Sequence, residues 1–103
     1  MVQKQNTIWF NGELIPWDDA QVHVLTHTLH YGLGVFEGIR VYERADGQSA
    51  VFRLREHIER FVNGARMITL PMEYEVDEIM DACIKVCRSN RLKSCYLRPL
   101  AFV

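Results

Sequence analysis

The chain has 103 residues, of which 49% are hydrophobic and 24% are charged, and its formal net charge is −1. That length suits one domain with a single core, and the composition excludes a disordered chain. Because the charge is nearly balanced, no overall field draws the chain to nucleic acid or to an anionic membrane, and we expect neither partner.

The first predicted element is a β-hairpin. Apolar residues at 8–10 and 14–17 flank Asn11-Gly12, a strong two-residue turn signal. Residues 17–20 are typical of a turn. Residues 26–34 predict a short helix that is capped by Thr26 and ended by Gly32.

Residues 35–43 predict a strand whose two faces differ. One face would carry Val35, Glu37, Ile39, Val41 and Glu43, and the other Phe36, Gly38, Arg40 and Tyr42. A glycine inside a strand often marks close approach of a ligand or of another backbone. After a turn at 45–47, residues 50–52 predict a short strand that pairs back on this one.

Two amphipathic helices follow, over residues 54–68 and 75–90. Their apolar stripes comprise Leu54, Ile58, Phe61, Val62, Ala65 and Ile68 in the first, and Val76, Ile79, Met80, Cys83 and Cys87 in the second. Arg60 points away from its stripe, so it is either a solvated arginine paired with Glu56 or a phosphate ligand facing a second domain. Asn90 is a candidate terminator of the second helix.

Residues 95–103 predict the last strand, with Tyr96, Arg98, Leu100 and Phe102 on one face. The strand ends in an apolar run, so we expect that the chain continues or that a partner covers this end. The elements together predict an α/β chain of the two-layer α+β kind, an antiparallel sheet against two main helices.

Cysteine usage and hydropathy bear on location. Three cysteines cannot form a complete internal disulfide framework, and we expect three buried free thiols of a reducing compartment. No segment reaches the roughly 18–20 apolar residues of a membrane span, and the first residues lack the apolar core of a leader. The prediction is a cytoplasmic protein without a membrane partner.

Two strands each bring an aromatic side chain and an arginine to one face: Phe36 with Arg40, and Tyr96 with Arg98. If both faces line one cleft, they form a pocket with an apolar side and a carboxylate-binding side. The alternative is a solvated sheet face on which aromatic rings pack under arginine stems.

A metal site is not predicted. His23, His27 and His30 form an H-x3-H-x2-H series, but Val24 stands where the zincin pattern needs glutamate. We therefore interpret these histidines as structural.

Four blocks of sequence resemble one known family. They are residues 8–12 (Ile-Trp-Phe-Asn-Gly), 30–40 (His-Tyr-Gly-Leu-Gly-Val-Phe-Glu-Gly-Ile-Arg), 52–60 (Phe-Arg-Leu-Arg-Glu-His-Ile-Glu-Arg) and 96–99 (Tyr-Leu-Arg-Pro). In this order and spacing they resemble the N-terminal domain of branched-chain amino acid aminotransferases, the fold-type IV pyridoxal-phosphate enzymes. The resemblance covers the chain from about residue 8 to its end.

The resemblance implies functional roles for individual residues that the spacing of the motifs alone does not indicate. It implies that Arg60 binds the cofactor phosphate and that Tyr31 and Phe36 line the side-chain pocket, Tyr31 across a dimer interface. It further implies that Tyr96 holds the α-carboxylate of the substrate. The residues implied for the distal carboxylate of glutamate or 2-oxoglutarate are Arg98, Arg40 and the Gly38 backbone.

The same resemblance implies that residues 1–103 are the small N-terminal domain of a homodimeric enzyme. Its substrates would be amino acids and 2-oxo acids, and its Schiff-base lysine would lie in a C-terminal domain, since Lys4, Lys85 and Lys93 do not match that position. We expect no transaminase activity from the chain alone. The rival hypothesis is a non-catalytic small α/β module that binds a partner or supports assembly.

Overall fold

The computed structural model describes residues 2–103, and its α+β architecture confirms the predicted fold class. In chain order the elements are β1 (Thr7–Phe10), β2 (Glu13–Pro16), a 3₁₀ turn (Trp17–Asp19), α1 (His27–Tyr31), β3 (Gly34–Phe36), β4 (Ile39–Glu43), β5 (Ser49–Val51), α2 (Leu54–Met67), α3 (Val76–Ser89), β6 (Cys95–Leu97) and β7 (Leu100–Phe102). All strand pairs are antiparallel: β1 with β2, β3 with β7, and β4 with both β5 and β6.

The predicted hairpin and short helix are both present. Asn11 and Gly12 have φ of 50° and 99°, the positive values that a tight two-residue turn requires. Gly32 ends α1 in the left-handed conformation, with φ of 70°. Thr26 precedes α1 as predicted, but its capping role was wrong, because the hydroxyl donates to the His23 carbonyl at 2.6 Å.

The strands predicted over residues 35–43 and 95–103 are each interrupted, and the two interruptions lie opposite each other. Phe36 lies opposite Leu100 and Ile39 opposite Leu97, so the pairing register is continuous across the interruption. Between these pairs the Glu37 amide donates to the Pro99 carbonyl at 3.0 Å. Pro99 has no N–H to return, which is why one antiparallel ribbon becomes the two pairs β3–β7 and β4–β6.

The core lies between the two long helices and the inner face of this ribbon. It contains Ile39, Val41, Leu54, Ile58, Phe61, Val62, Ile79, Cys83, Cys87 and Leu97. The helical stripes were predicted correctly except at Val76, Met80 and Ile68, which are only half-buried. The strand faces follow the predicted alternation, since Ile39, Val41 and Leu97 are buried while their chain neighbours point outward.

The three cysteines are free, and Cys83 and Cys87 are buried as predicted. Cys95 is only half-buried, because it lies at the edge of the core with its sulfur 3.7 Å from that of Cys87. Burial raises the pKa of Cys83 to about 11, and burial together with the neighbouring Cys95 raises the pKa of Cys87 to about 12. Both thiols therefore stay protonated at neutral pH.

Two long-range contacts fix the ends of the chain. Asn90 follows α3, and its side chain accepts hydrogen bonds from the amides of Asn6 and Thr7 and donates to the carbonyls of Thr7 and Val86. At the other end β7 pairs with β3, and the Val103 amide donates to the Thr28 hydroxyl at 2.8 Å.

Candidate functional site

Five of the residues predicted to contact substrate lie on one exposed face of the ribbon, opposite the core. We call this surface the aromatic–arginine face; it comprises Phe36, Gly38, Arg40, Tyr96 and Arg98. Arg40 is paired directly with Tyr96 across β4 and β6, and its guanidinium lies 5.3 Å from the ring centre. The Arg98 guanidinium lies 4.4 Å from the ring of Phe36 and donates to the Tyr96 hydroxyl at 3.2 Å. The ribbon thus brings both aromatic–arginine pairs together as one surface.

Gly38 makes room for the Tyr96 side chain. A Cβ atom at Gly38 would lie 1.8 Å from the Tyr96 hydroxyl oxygen and 2.7 Å from Cζ, so any larger residue would displace the phenol. The glycine noted in the sequence therefore marks close approach of a side chain from the neighbouring strand. Its effect is to fix the Tyr96 hydroxyl beside Arg98, in the middle of the aromatic–arginine face.

Arg60 projects from α2 and is 73% exposed, but its partner is not the Glu56 weighed above. Its Nε and one terminal nitrogen donate to the two carboxylate oxygens of Glu37, at 2.5 and 2.9 Å. Glu56 instead lies 3.8 Å from Arg53. His57 Nδ1 lies 2.9 Å from the second Glu37 oxygen, so residues of one turn of α2 make all three of the hydrogen bonds to the carboxylate.

This cluster has strong electrostatic consequences. Glu37 is only 5% exposed, yet the hydrogen bonds from Arg60, joined by that from His57, lower the pKa of Glu37 to about 2 against the opposing effect of burial. In return, the carboxylate raises the pKa of Arg60 above its ordinary value. The pair is fully charged at neutral pH. An arginine has five N–H donors, and Glu37 engages two of them, so three remain for an anion.

Arg60 and the aromatic–arginine face adjoin a common depression. This depression of about 420 Å³ is lined by Gly34, Val35, Phe36, Glu37, Gly38, Arg60, Phe61 and Gly64. Phe36 and Gly38 therefore belong both to this depression and to the face. A larger cavity of about 710 Å³ is bordered mostly by core side chains and by the N-terminal hairpin, with Tyr96 and Arg98 at its margin. Three of the predicted site residues, Phe36, Gly38 and Arg60, line the smaller depression. Arg98 contacts Phe36 and Tyr96 from beside it.

Tyr31 is the one predicted site residue that lies apart. It is the last residue of α1, is 76% exposed, and its ring centre lies 4.6 Å from that of His27. Within the described residues its ring neighbours are His27 and His30. Its role across an interface stays a prediction.

Sequence reasoning missed Glu37 and His57. The alternation of the strand placed Glu37 on the same face as Val35 and Ile39, and a carboxylate on a core face requires a buried or clustered partner. That requirement was the available signal. His57 and Arg60 lie one helical turn apart and are the first cationic or titratable side chains to consider as partners.

Residues 2–103 contain neither a metal-binding cluster nor a membrane-spanning helix. No group of three or more His, Cys, Asp or Glu side chains in this range is arranged to hold a metal ion. No helix in the described part of the chain is both long and apolar enough to cross a bilayer.

Comparison with known proteins places these features in a family. The model of amino-transferase class IV matches residues 34–103, the segment that carries the whole ribbon and both long helices. The chain belongs to the class IV aminotransferase family. It is 50% identical over 101 residues to a branched-chain-amino-acid aminotransferase of Salmonella typhimurium, and 46% identical over 102 residues to one of Pseudomonas aeruginosa.

The class IV likeness extends to solved structures. The Escherichia coli branched-chain amino acid aminotransferase superposes with a TM-score of 0.94 at 50% identity, over 97% of this chain and 33% of that one. The branched-chain aminotransferase of Thermoproteus uzoniensis gives a TM-score of 0.91 at 39% identity, over 96% and 33%. The matches cover 98% and 99% of this chain against the Salmonella and Pseudomonas proteins. They cover only 32% and 33% of those relatives, so the chain spans about a third of their length.

Proposed function

We propose that residues 1–103 form the N-terminal small domain of a pyridoxal-phosphate-dependent branched-chain amino acid aminotransferase. This domain supplies cofactor-phosphate and substrate-pocket residues, and the cofactor-binding lysine lies outside it. The observation that carries the proposal is that Arg60 and two residues of the aromatic–arginine face, Phe36 and Gly38, line one depression. The family match and the coverage of a third of each relative agree with it.

The residues present fit the cofactor's phosphate. Arg60 is anchored on one edge by Glu37, and it lines a depression that has glycines at three positions. A guanidinium fixed on one edge and open on the other suits bidentate capture of a phosphate dianion. When bound, pyridoxal phosphate supplies the carbonyl group that exchanges with the amino group and the ring that accepts electrons.

The aromatic–arginine face fits both kinds of substrate in the proposed reaction. Phe36 offers an apolar ring, 62% exposed, to a branched side chain. Tyr96 offers a hydroxyl donor to the α-carboxylate, and Arg98 and Arg40 flank it with cationic groups for the distal carboxylate of glutamate. Another branched-chain aminotransferase, 45% identical to this chain, was solved with N-(5'-phosphopyridoxyl)-L-glutamate and with 4-methylvaleric acid, ligands that carry these two chemistries.

Two features support a homodimeric enzyme that is located in the cytoplasm. Val24, Leu25, Leu29 and Tyr31 are each more than 60% exposed, which gives the surface around α1 an apolar character suited to a homodimer contact. The free thiols of Cys83 and Cys87 suit a reducing compartment, and we propose the cytoplasm.

Substrate-specific kinetics of Arg98→Ala in the full-length enzyme test the proposal. Loss of a charge-assisted hydrogen bond should lower kcat/KM for glutamate by about 10- to 100-fold, while the value for leucine falls by about three-fold or less. Arg88→Ala, an exposed arginine on α3, is the matched control and should change neither value. Equal losses for glutamate and leucine would contradict the assignment of Arg98.

A second experiment tests the division of the active site. The 103-residue chain, supplied with pyridoxal phosphate, leucine and 2-oxoglutarate, should give no turnover, whereas the full-length protein should be active. Turnover by the short chain would refute the proposal that the essential lysine lies outside it. Inactivity of both proteins would favour the non-catalytic module.

A further inference from the structure

We infer that Glu37 is a positioning residue, which fixes the Arg60 guanidinium for phosphate, and that His57 in turn holds Glu37. The inference deepens the function proposed above and rests on it. It assigns a role to a buried charged group to which the proposed function gives none.

In the cluster of Glu37, Arg60 and His57, a buried carboxylate holds an exposed arginine, and this contrast requires an explanation. A carboxylate that is 5% exposed is costly to bury unless it is paired and hydrogen-bonded, and Glu37 has three hydrogen bonds from two side chains. Its partner Arg60, by contrast, is 73% exposed. An exposed arginine normally samples many rotamers, so the buried partner restricts the exposed one.

The position of Glu37 in the fold makes it a rigid anchor. It lies in the interruption between β3 and β4, where its amide donates to the Pro99 carbonyl at 3.0 Å. The side chain is also held by His57, which is only 20% exposed. Backbone and side chain are therefore both fixed before any anion arrives.

This anchor also links the two halves of the proposed site. Glu37 stands between Phe36 and Gly38, which belong to the aromatic–arginine face, and its carboxylate reaches back to α2. One peptide segment therefore sets the distance between the phosphate-binding arginine and the substrate-binding face. A shift of this segment would move both together.

A double-mutant cycle in the full-length protein tests the inference, with pyridoxal phosphate as the probe. Apo-protein is titrated for wild type, Glu37→Gln, Arg60→Ala and the double variant, and the ³¹P resonance of the bound phosphate is recorded. We expect the dissociation constant to rise about ten-fold in Glu37→Gln and more in Arg60→Ala, with no further rise in the double variant. The phosphate resonance should move in both single variants. Glu56→Gln, an exposed acid on the same helix, is the control and should leave both readouts unchanged.

The outcomes distinguish a failure of the phosphate assignment of Arg60 from a failure of the positioning role of Glu37. An unchanged dissociation constant in Arg60→Ala would overturn the phosphate assignment in the proposed function, and the inference with it. Weaker binding in Arg60→Ala but not in Glu37→Gln, or effects that simply add in the double variant, would overturn the positioning role alone. If Glu37→Gln does not fold, His57→Leu replaces it, since it removes one hydrogen bond and keeps the Glu37 charge. It should raise the dissociation constant about three-fold, and an unchanged constant would overturn the inference.

Discussion

Replacing Gly38 by alanine should impair substrate binding while leaving the fold almost unchanged. The added methyl group would lie 1.8 Å from the Tyr96 hydroxyl oxygen and 3.2 Å from Cε2, so the phenol must leave its place. Tyr96 is 49% exposed, and its ring can therefore rotate toward solvent without displacing the core. The substitution acts on one side chain of the aromatic–arginine face.

Gly38→Ala should have a small effect on the free energy of unfolding and a large effect on kcat/KM. Moving Tyr96 loses the 3.2 Å hydrogen bond from Arg98 and the contacts with both arginines, each worth about 0.5–1 kcal/mol at an exposed site. Alanine in place of glycine returns about 0.4–1 kcal/mol by restricting the unfolded chain. The free energy of unfolding should therefore fall by about 0.5–2.5 kcal/mol. Loss of the hydroxyl donor to a carboxylate should lower kcat/KM for amino acids by about 10- to 100-fold.

Steady-state kinetics and thermal unfolding of the full-length protein measure the two effects of Gly38→Ala. Tyr96→Ala supplies the matched background, because the added methyl group has no phenol to displace there. Gly38→Ala should then add little to the kinetic loss. Wild-type kinetics in the single variant would refute the reasoning, and so would a large further loss in the Tyr96→Ala background.

Three further outcomes are expected for stability. Asn90→Ala removes three hydrogen bonds to Asn6 and Thr7 at the N-terminal hairpin and one to the Val86 carbonyl of α3, and it should cost about 2–3 kcal/mol in urea unfolding. Gly64→Ala lies inside α2 with only Val35 Cγ1 near its new methyl group, at 3.6 Å, and should stabilise the protein by up to about 1 kcal/mol. Because the pKa of Glu37 is lowered from 4.5 to about 2, its stabilisation of at most about 3 kcal/mol should be present above pH 4.5 and lost as the pH falls through 2. Glu37→Gln should flatten that part of the pH–stability curve.

The sequence was most informative where a pattern depends on one element. The long helices begin and end within about one residue of their predicted bounds, because a strong apolar stripe and flanking breakers define them. The outward placement of Phe36, Arg40, Tyr96 and Arg98 followed from the period of two along each strand.

The remaining features depend on contacts between distant elements. The break between β3 and β4 comes from Pro99, which lies opposite Glu37 between β6 and β7 and has no N–H to donate to the ladder. The Glu37–Arg60 pair joins residues 23 apart, and neither element alone indicates which cation the buried acid binds. The role predicted for Tyr31 requires a second chain, and it stays a prediction.

A crystal structure of the full-length protein with N-(5'-phosphopyridoxyl)-L-glutamate tests the central claim most directly. We expect the phosphate within hydrogen-bond distance of the Arg60 guanidinium, on the edge that Glu37 leaves free. The glutamate carboxylates should contact Tyr96 and Arg98. A phosphate bound elsewhere, or a ligand that leaves the aromatic–arginine face in open solvent, would contradict it.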